Sequence, residues 1–148
     1  MHKKILVGLD GSKHGIEAAQ EAIELAKKSD AELHLLTVTR PFKVTPKLRQ
    51  FLEAENLLGE PKYVMDEMTN NIVSAAKELA TNAGVKNVNT MVREGKPART
   101  LLEYAKGNGI DLIVVGARGV GEMEAALLGS VSQKVSMLSP CSVMIVRS

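Results

Sequence analysis

The stretch Lys4-Ile5-Leu6-Val7-Gly8-Leu9-Asp10-Gly11-Ser12 decides the fold. Its apolar residues run without alternation, the pattern of a strand buried on both faces. The strand ends in Asp-Gly-Ser, where Ser12 can cap a following helix. That helix is marked by Ile16, Ala19, Ala22, Ile23 and Ala26, which recur at three- and four-residue spacing. A buried strand turning directly into an amphipathic helix is half of a β-α-β unit.

Outward from this unit the same alternation repeats. Leu33 to Val38 reads as a second strand, and a helix is expected from about Tyr63 to Ala83, with Val64, Met68, Ile72, Ala75, Ala76 and Leu79 on its apolar side. Gly84 ends that helix. Val88 to Val92 is a third strand, and Pro97 opens a helix that reaches Gly107. A fourth strand follows at Asp111 to Gly116, then a helix from Ser130 to Leu138, then a last strand around Val143 to Val146. Between Thr39 and Pro61 the pattern loosens around Pro41, Pro46 and Gly59, with a short helix expected over Leu48 to Leu58. Five strands alternating with four principal helices imply a doubly wound, Rossmann-like parallel sheet with helices on both faces. The expected strand order is 3-2-1-4-5.

Composition narrows the function classes. A chain of 148 residues, 45% hydrophobic and 24% charged, can bury about 70% of its unfolded surface as one domain. The single cysteine, Cys141, excludes an intramolecular disulfide and fits a reducing cytoplasm. No apolar run approaches the roughly 20 residues of a membrane helix, and the uncharged run before Asp10 is too short for a secretory signal. A net charge of +2 and 3% aromatics point away from nucleic-acid and membrane surfaces. The expectation is a cytoplasmic single domain.

In a doubly wound sheet, ligands bind beyond the carboxyl ends of strands where the winding reverses. Two strands end there in unusual chemistry: the first at Asp10-Gly11-Ser12, the fourth at Gly116-Ala117-Arg118-Gly119. Nine residues after Gly119 comes Gly129-Ser130, at the start of a helix. Glycines allow close backbone approach and positive φ, and a helix N-terminus attracts phosphate. The glycines are equally readable as loop punctuation, with Gly121 among them, and Ser130 as an ordinary cap.

The spacing G-x2-G-x9-G-[ST] after a fourth strand resembles the ATP-binding signature of the universal stress protein family. Ile5 to Ser12, Glu94-Gly95-Lys96-Pro97-Ala98, Asp111 to Gly116 and Ser139 to Val146 are similar to further segments of that family. The resemblance implies that Asp10 contacts the adenosine, a task suited to a hydrogen-bond acceptor that would repel phosphates. It implies that Leu9 and Val38 line the adenine site. Gly116, Gly119, Gly129 and Ser130 match the phosphate-binding positions, with Val131 and Ser132 in the same turn. Arg118 sits at a variable position of the signature, either pairing with a phosphate or solvated in the loop.

Other chemistry is not indicated. The Walker pattern G-x-x-x-x-G-K-[ST] and the dinucleotide pattern G-x-G-x-x-G after the first strand are missing. His2, His14 and His34 lack metal-ligand spacing. His14 is expected on the helix surface, and Cys141 as a small buried residue. Magnesium or manganese would be held by ATP's phosphates, with Asp10 the one nearby acid that the sequence offers.

The resemblance therefore implies a regulatory module that binds ATP or AMP and alters partner interactions in a stress response. The alternative is a slow ATPase or a nucleotidyl or phosphoryl transferase on the same site, for which Arg118 and Ser130 are the only candidate groups. A scaffold that binds no nucleotide is disfavoured by the intact glycine signature. A homodimer is expected through the last strand, Ser142 to Arg147, whose centre carries no proline, glycine or charge to discourage pairing.

Overall fold

A computed structural model describes residues 2–40, 46–54, 61–119 and 128–147. The elements run β1 (Lys4–Leu9), α1 (Lys13–Ser29), β2 (Glu32–Thr39), α2 (Pro46–Ala54), α3 (Pro61–Ala83), β3 (Val88–Glu94), α4 (Pro97–Gly107), β4 (Leu112–Gly116), α5 (Ser130–Leu138) and β5 (Ser142–Val146). The five strands form one sheet in the order β3-β2-β1-β4-β5. Every neighbouring pair is parallel. This is the doubly wound topology expected from the alternation, and it places β1 beside β4 at the reversal. Residues 55–58 of the short helix expected after Leu48 lie outside the described residues, as does Gly121.

The sheet separates two cores. On one face Ile5, Val7, Leu33, Leu35 and Val114 pack against alanines of α1 and α3. On the other, Leu6, Leu36, Ile113 and Val115 meet Leu101, Tyr104 and Ala105 of α4 and Val135 of α5. Ile5, Leu6, Val7, Leu33, Leu35, Ile113 and Val114 are fully buried, so the uninterrupted apolar runs do mark strands covered on both sides. Among the described residues no helix is long and apolar enough to cross a membrane.

The helical faces differ from expectation in one respect. On α1 the buried stripe is Ala18, Ala19, Ala22, Ile23 and Ala26, while Ile16 is 47% exposed. On α3 it is Thr69, Val73, Ala76 and Ala80, while Met68 and Leu79 are 55% and 43% exposed and Ala75 is exposed too. Small residues face the sheet because the helix axes come close to it. Ile16 and Leu79, but not Met68, border an apolar furrow of about 300 Å³ between α1 and α3, with Ile72 and Ala75 also in its lining. The Val64 side chain lies outside those described.

Candidate functional site

Two strand-to-helix turns meet at the carboxyl end of the sheet. The first follows β1. Gly11 adopts φ +83°, and a Cβ there would lie 2.9 Å from Ile72 Cδ1, so both conformation and space call for glycine. The Asp10 Oδ1 accepts from the Ser12 amide at 2.9 Å. The Ser12 Oγ in turn accepts from the Gly15 amide at 3.1 Å, capping α1. A Cβ on Gly15 would stand 2.9 Å from Asp10 Oδ1. Gly15 thus leaves room for the carboxylate over the helix end.

The second turn follows β4. Gly116 and Gly129 do not use positive φ; Gly129 has φ −74° and ψ 169°, which any residue adopts. The reason for Gly116 is contact instead. A Cβ there would fall 2.6 to 2.8 Å from His14 Cβ, C and O, so its absence lets α1 pack against the end of β4. Gly129 is buried and donates to the Ala117 carbonyl at 2.7 Å. The Ser132 hydroxyl, 2% exposed, bridges the Ala117 and Gly129 carbonyls at 2.8 and 3.0 Å. This holds the start of α5 against the strand end. The α5 N-cap, Gly129, contributes no side-chain hydrogen bond, whereas Ser12 caps α1 with its hydroxyl.

Between the turns lies a cleft of about 330 Å³. Leu9, Asp10, Val38, Gly116, Arg118, Gly119, Gly129, Ser130, Val131 and Ser132 all line it, so residues 120 positions apart are brought to one place. Gly8 and Leu36 form part of its floor, and a Cβ on Gly8 would lie 2.9 Å from Leu101 Cδ1. Arg40 also lines the cleft. Sequence reasoning passed over it, although a cation directly after β2 in this topology was the available signal. Asp10 is the one acid among the described lining residues. Among the described residues no three His, Cys, Asp or Glu side chains come together.

His14 is not the solvated helix-surface residue expected. It is half-buried, with Nδ1 enclosed and without a partner among the described residues. Its Nε2 lies 3.5 Å from Arg118 Nη2, a long contact in which a neutral ring would accept from the guanidinium. His34 is 6% exposed, at the other half of β2. Its Nδ1 meets the Tyr104 hydroxyl at 2.6 Å and its Nε2 the Glu32 carboxylate at 2.9 Å. Burial raises the Tyr104 phenol above its ordinary value near 10, opposed by Arg93 and assisted by Glu32. Cys141 is half-buried rather than enclosed, packing on the α4–α5 core.

A family model described as the universal stress protein family matches residues 1–147. The universal stress protein YxiE of Bacillus subtilis is 40% identical over 154 aligned residues, covering 99% of this chain and all of that one. The solved structure of the universal stress protein UspA from Lactobacillus plantarum is 31% identical, with TM-score 0.76 and coverage of 98% and 97% of the two chains. A universal stress protein crystallised in complex with cAMP is 28% identical, with TM-score 0.69 and coverage of 98% and 96%.

Proposed function

The chain belongs to the universal stress protein family, and from that premise we propose that it is an adenine-nucleotide-binding regulatory module. The nucleotide is ATP or AMP, and occupancy alters interactions with a protein partner during a stress response in the cytoplasm. The observation that carries this reading is the pairing of opposite chemistries across one cleft. Asp10 stands on the β1 side, and the N-terminus of α5 with Arg118 on the β4 side. A carboxylate recognises ribose or base donors, while helix amides and a guanidinium take phosphate oxygens. The relative crystallised with cAMP supports an adenylate as the ligand class.

Leu9 and Val38 supply the apolar walls for the adenine, and the backbone at Gly119, Gly129, Ser130, Val131 and Ser132 surrounds the phosphates. Magnesium or manganese would accompany a triphosphate through phosphate oxygens and water. The chain works as a single domain and pairs into a homodimer through β5. That strand bonds to β4 on one side, and its Val143 to Val146 side chains are half-buried. Its other edge pairs with no strand among the described residues and is a template for a second copy.

Mass spectrometry of small molecules released from the purified protein, followed by calorimetry with ATP and AMP, tests the ligand. Adenylate recovered in near-stoichiometric amount supports the reading. Protein that neither carries nor binds an adenylate overturns it. Light scattering gives the assembly: twice 15.9 kDa for the dimer, with Ile145→Pro returning it to one copy.

A further inference from the structure

A second groove opens from the same cleft and runs between α4 and α5, with a volume of about 620 Å³. It shares Arg40, Pro97, Ser130 and Val131 with the nucleotide cleft, so the two spaces adjoin. Among the described residues its charged lining is one-sided: Arg40, Lys96, Arg99 and Lys134 against the single acid Glu103. That acid is held by Arg99 at 2.9 Å on an exposed helical turn, so it neutralises one cation and leaves three. No ion pair forms at Arg40, Lys96 or Lys134 among the described residues. Nothing in the folding of α4 or α5 requires this grouping, and like charges on facing helices repel.

We propose that this groove binds a phosphate chain extending past the nucleotide's own triphosphate site. The inference rests on the cleft being the nucleotide site. Ser130 belongs to both spaces, and Lys134 lies one helical turn further, about 6 Å along α5. Arg40 stands where cleft and groove meet, and Lys96 and Arg99 flank the opposite wall at the start of α4. Lysine ammonium groups act on phosphate as mobile point charges and guanidinium groups as forks, so the set suits several phosphates in a row. The chain arrives either as part of the nucleotide, a nucleoside tetraphosphate or dinucleoside polyphosphate, or as separate inorganic polyphosphate beside a bound monophosphate.

Calorimetry on the full chain at fixed ionic strength tests this with AMP, ATP, adenosine 5′-tetraphosphate, and inorganic tripolyphosphate added to AMP-saturated protein. The readings are compared in the wild type, in K96Q/K134Q, and in K27Q/K28Q, which removes two lysines from the far end of α1. A nucleotide-borne chain gives adenosine tetraphosphate at least tenfold tighter binding than ATP. A separate chain gives saturable tripolyphosphate binding on AMP-loaded protein. In either case K96Q/K134Q loses the effect while AMP affinity stays within twofold, and K27Q/K28Q keeps it. Neither effect in the wild type, an effect that survives K96Q/K134Q, or equal loss in K27Q/K28Q overturns the proposal. Failure of AMP and ATP to bind at all would instead overturn the nucleotide reading, and tripolyphosphate on the unloaded protein would then decide the groove by the same comparison of variants.

Discussion

The turns after β1 and β4 sit on neighbouring strands and at the same end of the sheet, yet they are finished differently. The β1 turn closes on itself. Asp10 holds the Ser12 amide, Ser12 caps α1 at Gly15, and a left-handed Gly11 makes the bend. The β4 turn is pinned through its carbonyls by Ser132 and Gly129, while its helix start has no side-chain cap. One turn is self-sufficient and presents a carboxylate. The other starts its helix on a glycine, which brings no capping side chain to the helix dipole. Glycine content does not separate the two turns, since both are rich in it; their hydrogen bonding does, although both line the same cleft.

The largest effect should come from Ser130→Asp. A carboxylate on this exposed first-turn residue suits the helix dipole and should raise stability by about 0.5 kcal/mol. It also places negative charge where phosphate is expected, so ATP affinity should fall at least about 100-fold, or about 2.8 kcal/mol. Thermal denaturation and calorimetry on one preparation check both signs. Unchanged ATP affinity would erase the distinction between the turns.

Gly116→Ala sharpens the comparison from the packing side. The new Cβ meets the backbone of His14, so α1 must shift from β4 at a cost of about 1–3 kcal/mol. Urea denaturation should show that loss without any ligand present. A neutral substitution would mean that Gly116 serves the ligand alone.

Ser12→Ala should cost about 1 kcal/mol through the lost cap. ATP affinity should stay within about threefold, because a 0.65 kcal/mol change is the limit of an indirect effect. A larger loss of binding than of stability would place the first turn among the phosphate contacts.

The smallest effect is expected far from both turns. Tyr104→Phe removes the hydroxyl that meets His34 Nδ1 and should cost below about 1 kcal/mol with no change in binding. Because burial raises the folded-state phenol pKa, its contribution is complete below pH 10 and declines as pH rises through and above that value. Stability curves of wild type and variant should therefore converge in strongly alkaline solution. Curves that stay parallel would remove Tyr104 from the account of alkaline stability.

Topology was legible because it follows from pattern. Uninterrupted runs such as Leu112 to Val115 had to be strands, and their alternation with helices left few arrangements. The gathering of Asp10 with Gly129 and Ser130 followed from that order. What the sequence did not disclose depends on distances between elements. The alanine stripe of α1 faces the sheet and Ile16 does not, because axial closeness selects size as well as hydrophobicity. Gly116 lines the cleft, but that it must also make room for α1 is not written in its motif. His14 reads as a surface residue for the same reason, since β4 and Arg118 approach it from more than a hundred residues away. Arg40 and Lys134 look like ordinary solvated cations until the end of β2 and α5 bring them to one groove.

The contrast between the two turns is tested most directly by backbone amide NMR of the protein titrated with ATP. Large, saturable shifts of the Val131 and Ser132 amides are expected as phosphate reaches the start of α5, with the Gly15 amide, already bonded to Ser12, moving least. Shifts centred on Ser12 to Gly15 with the α5 amides unmoved would contradict it.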